Sequence, residues 1–217
     1  MISTGNDIVA LKAINVARTQ QENFYKKIIS GSEKRLYTGQ LSEKIPFAIF
    51  VWLLWSVKES AFKYMQRITP ALVFSPTKIV INRVELPGHD ATIKIEGQGF
   101  DNVPVYKCVI VSGGDTLYSC SIISPEFIFS VVSQDESFKN VYWSIQKIAS
   151  SDPESQSGAV RILLMDRLEA VSPESNFQID KSLHGYPIVL KDGAEISIPV
   201  SFAHHEDYIG YSFLVEK

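Results

Sequence analysis

The arrangement of apolar residues predicts one long, buried helix in the first half of the chain. Residues 46–67 are apolar on nearly every side up to Lys58, which is typical of a helix packed between layers. Pro46 stands near its first turn and Pro70 just beyond its end, and both positions are compatible with helix boundaries. The longest apolar run, Phe47 to Trp55, has nine residues, whereas a membrane span needs about 20, so we expect no contact with a membrane.

Short alternating or β-branched segments predict strands on both sides of this helix. One strand is expected at residues 6–11, followed by one or two short charged helices within residues 18–37. Beyond the long helix, the same patterns predict strands at residues 77–86, 91–96, 105–111, 117–123 and 127–132. The Ser-Gly-Gly-Asp sequence that separates two of these strands is typical of a tight hairpin turn.

The second half of the chain shows a similar succession of elements. Helices are predicted at residues 138–149 and 158–171, with residues 150–157 as the loop between them. Strands are then predicted at residues 187–190, 196–203 and 207–214. Because helices are followed by strands twice, the sequence predicts an α+β fold.

A weak internal repeat favours a division into two halves. Residues 121–128 resemble residues 201–209 if one gap is allowed, and each segment follows one predicted strand and leads into another. The similarity suggests two related halves, residues 1–133 and 134–217. A chance similarity of this length is the alternative.

The composition is that of a folded, globular protein. The 217 residues are 45% hydrophobic and 11% aromatic, with a mean hydropathy of +0.04, which excludes a disordered chain. The two cysteines, Cys108 and Cys120, form neither a disulfide framework nor a zinc motif. Because the N-terminus also has no signal-peptide pattern, we expect reduced thiols and a cytoplasmic location.

Charge is distributed unevenly along the chain. The net charge of −3 argues against a general nucleic-acid-binding protein. Residues 1–84 nevertheless contain 12 Lys and Arg against 5 Asp and Glu, whereas residues 85–217 contain 9 against 19. The basic first part suggests an anionic ligand or partner, although a drift in the composition of solvated faces would give the same asymmetry.

Two polar clusters in the first half could carry chemistry. Gly5-Asn6-Asp7 places an aspartate at the start of a strand, where a buried carboxylate is costly unless it binds a cation or caps a turn. Glu59 and Lys63 are four residues apart and share a face of the long helix. With Lys58 they set a carboxylate beside two ammonium groups, which suits phosphoryl chemistry. An ordinary helical salt bridge is the alternative.

A third cluster combines Gly185-Tyr186-Pro187 with the segment from Ser201 to Glu206. Consecutive strand residues face opposite ways, so the consecutive polar residues at the end of this segment cannot all bind one metal ion, and a zinc site is not expected. His204 is a candidate contact to a phosphate or substrate, with an ordinary surface histidine as the alternative.

Taken together and in this order, the clusters resemble the motifs of the 4′-phosphopantetheinyl transferase superfamily. The family motifs G-x-D, W-x-x-K-E-[SA]-x-x-K, G-K-P and [ST]-x-[ST]-H correspond to Gly5–Asp7, Trp55–Lys63, Gly185–Pro187 and Ser201–His204. Two weaker segments, Phe24–Glu33 and Phe74–Pro76, are similar to further family motifs. The match around Lys58, Glu59 and Lys63 is the specific one.

The resemblance implies an α+β fold with two pseudo-symmetric halves, each with a long helix packed on a small antiparallel sheet. Short members of the family are trimers with sites between chains, whereas double-length members fuse two halves. This chain has the motif order of the short type and the length of the double type. We therefore expect the metal-binding half, residues 1–133, to precede the half that contacts coenzyme A, residues 134–217, with the active site in the cleft between them.

The resemblance also implies a reaction of the holo-acyl-carrier-protein synthase type. Mg²⁺ would be needed to transfer 4′-phosphopantetheine from coenzyme A to a serine of a carrier protein, with release of 3′,5′-ADP. The metal ligands would be Asp7 and Glu59, and the catalytic residues Glu59, Lys63 and Lys58. The residues that contact coenzyme A would be Lys58, Lys63, His204, Gly185 and Pro187.

The partner implied by the resemblance is an acidic acyl or peptidyl carrier protein, which the basic residues 12–44 would dock. Carriers of fatty-acid, polyketide, aryl-polyene and peptide synthesis all remain open. The protein would act as a monomer or homodimer, without nucleic acid or membrane.

The sequence departs from the family motifs at three places. Val9 and Ala10 stand where a further acidic residue usually follows the aspartate of G-x-D, Tyr186 replaces the lysine of G-K-P, and Ala203 replaces a hydroxyl residue. These changes favour one alternative, a family member that binds coenzyme A or a carrier protein without transfer. An interaction domain with accidental motif matches is the other alternative.

Overall fold

The secondary structure comes from a computed structural model that describes residues 3–88, 92–173 and 176–215. The helices are α1 (Val16–Thr19), α2 (Glu22–Tyr25), α3 (Gly31–Lys34), α4 (Gln40–Lys44), α5 (Phe47–Ile68) and α6 (Pro153–Val171). The strands are β1 (Gly5–Ala10), β2 (Val80–Glu85), β3 (Glu96–Gln98), β4 (Tyr106–Ser112), β5 (Asp115–Ile123), β6 (Phe127–Ser133), β7 (Val141–Lys147), β8 (Phe177–Lys181), β9 (Pro187–Lys191), β10 (Ala194–Ile196), β11 (Val200–His205) and β12 (Tyr208–Leu214).

The first sheet packs against the long helix α5. Its five antiparallel strands run in the order β1-β6-β5-β4-β2. Phe50, Leu54 and Val57 of α5 are completely buried in one core with Ile128 and Val132 of β6. Burial of large apolar side chains is the main favourable contribution to folding. It therefore fixes α5, and with it the polar residues near the helix C-terminus, on this sheet.

Strand β1 lies so close to α5 that only glycine fits at position 5. A Cβ atom on Gly5 would lie 2.0 Å from the carbonyl oxygen of Ser60 and 2.7 Å from the amide nitrogen of Tyr64. The same region of α5 is bound to β6, since Ser60 Oγ donates to the carbonyl oxygen of Ser130 at 3.1 Å. The glycine of the G-x-D motif thus lets Asp7, two residues further on, approach the helix.

The second sheet packs against the opposite face of the first. Its strands run in the order β11-β12-β7-β3, and a small third sheet has the order β10-β9-β8. A core that includes Phe129 of β6 and Trp143 of β7 fills the space between the first two sheets. Helix α6 buries Val160, Leu164 and Leu168 in a further core with residues of β12.

Several elements confirm the sequence analysis. The mixture of helices and antiparallel sheets is α+β, and α5 extends over Phe47–Ile68 where residues 46–67 were expected. The predicted hairpin joins β4 and β5 through Gly113 and Gly114, whose φ angles of 61° and 93° favour glycine. In the part of the chain that the structure describes, no helix is both long and apolar enough to cross a membrane.

The prediction of a helix at residues 138–149 is wrong, because Val141–Lys147 form the strand β7. Trp143 and Ile145 lie on one face of this strand and are buried, and its backbone pairs with β12. The loop predicted at residues 150–157 is also too long. Helix α6 already begins at Pro153, after the N-cap Asp152, whose side chain accepts a hydrogen bond from the amide of Ser155.

The remaining differences concern short elements. The prediction of a strand at residues 91–96 is wrong for residues 92–95, since β3 begins at Glu96, and Ala91 lies outside the described residues. The strand predicted at residues 196–203 is divided between β10 and β11, and β8 has no counterpart among the predicted strands. The segment 18–37 contains one-turn helices rather than one or two longer ones.

Candidate active site

Lys63 connects the two acidic residues that the sequence analysis selected as metal ligands. Its Nζ lies 3.4 Å from Asp7 Oδ1 and 3.5 Å from Glu59 Oε1. It also donates to the carbonyl oxygen of Asn6 at 3.0 Å. The helical spacing of Glu59 and Lys63 and the close packing of β1 on α5 therefore bring three motif residues together.

Asp7 is a buried carboxylate with incomplete hydrogen bonding. Its side chain is 7% exposed, and Oδ2 has no hydrogen-bond partner among the described residues. Burial is the largest cause that raises the pKa of Asp7 to about 7, and Glu59 adds to it, while Lys63 and Ser56 act in the opposite direction. A buried oxygen of this kind is stabilised by a proton or a cation.

The acidic pair fits a hard divalent cation such as Mg²⁺. Asp7 Oδ2 is unpaired among the described residues, the side chain of Glu59 is 29% exposed, and both offer oxygen ligands. No group of three or more His, Cys, Asp or Glu among the described residues could hold a metal ion, so the protein offers two acidic ligands here. Mg²⁺ usually retains several water molecules and accepts one or two protein carboxylates.

His204 approaches this group from the second sheet. His204 is exposed, but partial desolvation of its ring lowers its pKa; the positive charge of Lys63 adds to this effect, whereas Glu59 opposes it. Strand β11 is held beside β1 by two hydrogen bonds: the amide of Asn6 donates to Ser201 Oγ, and that of Ala10 to His205 Nδ1, each at 3.0 Å. Two residues of the predicted third cluster, Ser201 and His205, therefore bind the edge of β1.

A cavity of about 310 Å³ extends from Lys63 and His204 between α5, α6, β9 and β11. Gly185, Tyr186 and Pro187 form part of its wall, so three of the four motif segments line it, and the fourth contributes Asp7 beside Lys63. The side chains in its wall that carry or can acquire positive charge are Lys63, Arg67, Arg161, Lys181, His184 and His204. No Asp or Glu is among the described residues that line it, so the cavity suits an anionic ligand.

Arg67 is a residue of this cavity that the sequence analysis did not select. Its guanidinium donates to the carbonyl oxygens of Pro187 and Val200, and its central carbon lies 4.8 Å from the ring centre of Tyr186. In the sequence, Arg67 follows Lys63 by four residues, and this helical spacing was the one signal that it shares the face of Lys63.

Lys58, for which the sequence predicted a catalytic role and a contact to coenzyme A, is enclosed inside the protein. The side chain of Lys58 is 0% exposed, and its Nζ lies 2.8 Å from Glu33 Oε2 and donates to the carbonyl oxygen of Ile28 at 2.7 Å. Burial lowers the pKa of Lys58, and Glu33 opposes this effect. Because its ammonium group is enclosed between α5 and the segment around α3, Lys58 has a structural position.

The comparison with known families agrees with the motifs. Residues 3–101 match the family model of the 4′-phosphopantetheinyl transferase superfamily. No curated protein sequence and no solved structure matches the chain. The resemblance predicted from the motifs is therefore confirmed over residues 3–101, which are similar to this superfamily. The match favours a transferase, and phosphopantetheine transfer in general.

Proposed function

We propose that the protein transfers 4′-phosphopantetheine from coenzyme A to a serine of an acyl or peptidyl carrier protein and releases 3′,5′-ADP. The observation that carries this proposal is that Lys63, which lies beside Asp7 and Glu59, lines a cavity together with His204 and other positive side chains. Two carboxylates for a metal ion beside a cationic cavity are the groups that a pyrophosphate substrate requires.

In the proposed reaction the oxygen of the carrier serine attacks the β-phosphorus of coenzyme A. The bond between this phosphorus and the bridging oxygen breaks, and 3′,5′-ADP leaves with that oxygen. Glu59, which is partly exposed, accepts the serine proton directly or through a water molecule. Lys63 stabilises or protonates the leaving phosphate, and His204 binds a phosphate group.

Asp7 and Glu59 would hold Mg²⁺, which neutralises negative charge on the pyrophosphate when bound. Gly185 and Pro187 would contact coenzyme A from the cavity wall. Lys58 takes no part in these contacts because Glu33 encloses it.

The fold favours two pseudo-symmetric halves, residues 1–133 and 134–217, with the active site between them. In the first half, β1 is followed by the long helix α5 and pairs with the last strand of the hairpin β5–β6. In the second, β7 is followed by α6 and pairs with the last strand of the hairpin β11–β12. The similar segments 121–128 and 201–209 span these two hairpins. Strand β3 is an exception, since it comes from the first half but pairs with β7.

A family member that binds coenzyme A or a carrier without transfer is the second candidate. It is favoured by the lack of a third acidic ligand beside Asp7 and Glu59 among the described residues and by Tyr186 in place of the motif lysine. This candidate predicts binding of coenzyme A without modification of any carrier.

Intact mass spectrometry of several apo carrier proteins tests the proposal directly. Each carrier is incubated with the protein, coenzyme A and Mg²⁺, and the expected result is a mass gain of one phosphopantetheine. Omission of Mg²⁺ should abolish the gain. Glu59→Gln should lower the rate by about 100-fold or more, because it removes the proton acceptor. Near-normal turnover by Glu59→Gln would contradict the role of Glu59, and binding of coenzyme A without any mass gain would favour the second candidate.

A further inference from the structure

The wall of the cavity contains an arginine with no acidic partner within ion-pair distance among the described residues. Arg67 donates through Nη2 to the carbonyl oxygens of Pro187 and Val200, and its guanidinium lies 4.8 Å from the ring centre of Tyr186. These contacts connect α5, which carries Glu59 and Lys63, to β9 and β11. The position of this charge is thus fixed from two sides.

The donors of Arg67 are only partly used by these contacts. A guanidinium has five N–H groups, and the two carbonyl oxygens are both bound by Nη2, so Nε and Nη1 have no hydrogen-bond partner within the described part of the chain. Planar guanidinium groups bind phosphate through two parallel hydrogen bonds and stack on aromatic rings. Burial lowers the pKa of Arg67 to about 10, so the group is still cationic at neutral pH.

We propose that Arg67 binds a phosphate group of the nucleotide part of the substrate, and that Tyr186 and the carbonyl oxygens of Pro187 and Val200 hold its guanidinium in the orientation required. The identity of the nucleotide rests on the proposed function. The cation that binds substrate at this end of the cavity is then Arg67 of α5. Tyr186, which stands where the family motif has lysine, holds the guanidinium of Arg67 in place.

Isothermal titration calorimetry with 3′,5′-ADP tests this proposal without requiring transfer. Arg67→Gln should raise the dissociation constant about tenfold or more, since it removes a charge-assisted hydrogen bond. Arg67→Lys keeps the charge but not the planar fork and should give an intermediate increase of roughly three- to tenfold. The matched control is Arg83→Gln, because Arg83 lies on β2 outside the cavity and pairs with Glu85. It should bind like the unmodified protein.

Variants of Tyr186 test the supporting role separately. Tyr186→Phe retains a ring for the guanidinium and should bind 3′,5′-ADP within about twofold of the unmodified protein, whereas Tyr186→Ala should weaken binding about threefold or more. The dependence of binding on salt distinguishes a phosphate contact from a purely structural link between α5 and the second half. Arg67→Gln should reduce this dependence, because one cation fewer meets the ligand.

Three results would overturn the proposal. Equal affinity of Arg67→Gln and the unmodified protein, with unchanged salt dependence, would show that Arg67 only connects the elements of the fold. Equal affinity of Tyr186→Ala and Tyr186→Phe for 3′,5′-ADP would refute the role of the Tyr186 ring in orienting the guanidinium of Arg67. Failure of the unmodified protein to bind 3′,5′-ADP would refute the proposed substrate as well, so the two failures are distinguishable. Thermal unfolding of each variant identifies any that does not fold, and Arg67→Lys then provides the comparison.

Discussion

Lys58 and Glu59 are adjacent on α5 but lie in different surroundings. The side chain of Lys58 is 0% exposed and pairs with Glu33, whereas that of Glu59 is 29% exposed and lies beside Lys63. Successive residues of a helix point in directions about 100° apart, so one motif supplies both a structural ion pair and a candidate catalytic carboxylate. Asp7 is buried like Lys58 and is a candidate functional carboxylate like Glu59, because its Oδ2 has no hydrogen-bond partner among the described residues.

Asp7→Asn should stabilise the metal-free protein while it abolishes transfer. The pKa of Asp7 is about 7 in the folded protein, against an ordinary value of 3.8, so the ionised side chain is more costly in the folded state than in the unfolded state. Asparagine removes this cost and loses the attraction of Lys63. We expect the free energy of unfolding at pH 8 in EDTA to rise by about 1–3 kcal/mol.

The pH dependence of this gain checks its cause. A carboxyl group whose pKa is raised on folding contributes stability fully at pH values below the ordinary pKa and loses it as the pH rises through the folded pKa. The advantage of Asp7→Asn should therefore be larger at pH 8 than at pH 5 in urea denaturation. An advantage that does not change between these pH values, or a loss of stability at pH 8, would contradict the burial cost assigned to Asp7.

At the scale of elements, the ion pair of Lys58 and Glu33 connects α5 with α3 and β2. Glu33 accepts hydrogen bonds from the amide of Ser30 at 2.7 Å and from that of Ile81 at 2.9 Å, in addition to Lys58. These bonds satisfy a carboxylate that is completely buried. The pair fixes the helix on a face different from the one that carries Glu59 and Lys63.

Lys58→Met should destabilise the protein by about 3–5 kcal/mol, because it leaves the carboxylate of Glu33 buried without its cation. The measurement is urea denaturation. In the Lys58→Met variant, the further substitution Glu33→Gln should lower stability much less than Glu33→Gln does in the unmodified protein. It removes the buried charge that Lys58→Met leaves unpaired, and it keeps an oxygen that accepts from the amide of Ile81. Simple addition of the two single effects, or a cost of Lys58→Met below about 1 kcal/mol, would show that the pair is not coupled as described.

Gly5→Ala tests the close contact of β1 and α5. The added Cβ would lie 2.0 Å from the carbonyl oxygen of Ser60, so β1 must move away from the helix. We expect a loss of about 1–3 kcal/mol of stability together with a lower transfer rate, because Asp7 moves with β1. Gly158→Ala is the control: no atom lies within 4 Å of its added Cβ, and alanine in a helix should leave stability equal or higher.

The elements that were predicted from the sequence are those with strong local signals. Helix α5 has a long apolar pattern with prolines at its boundaries, and the turn at Gly113 and Gly114 requires positive φ angles. Strand β7 was not predicted, because its partners β12 and β3 are distant in sequence. The same limit applies to the site: Glu59 and Lys63 share a helical face, but the enclosure of Lys58 by Glu33 depends on tertiary packing.

At the scale of the whole molecule, the candidate active site lies where elements from both ends of the chain meet. Lys63 and Arg67 come from α5, and Pro187, Val200 and His204 from the second half. The hydrogen bonds from β1 to Ser201 and His205 hold these parts together. The basic segment of residues 12–44 belongs to the first half, and its residues Lys27 and Arg35 are exposed.

An acidic carrier protein should therefore dock with a strong dependence on salt. Attraction between exposed charges of opposite sign is screened as ionic strength rises, with a Debye length of about 10 Å at 0.1 M. We expect the KM for the carrier to rise several-fold from low to high salt, measured by the mass-spectrometric transfer assay at saturating coenzyme A.

Charge reversal separates docking from effects on coenzyme A. Lys27→Glu and Arg35→Glu should each raise the KM for the carrier about threefold or more at low salt, because a repulsive charge replaces an attractive one. Lys191→Glu reverses an exposed charge of β9 in the second half and should leave this KM within about twofold. The rate at saturating carrier should be unchanged in all three variants. If the carrier docks on this basic surface, charge reversal there must have a larger effect than charge reversal at Lys191. Equal effects of the three substitutions, or a KM independent of salt, would therefore place the carrier elsewhere on the protein.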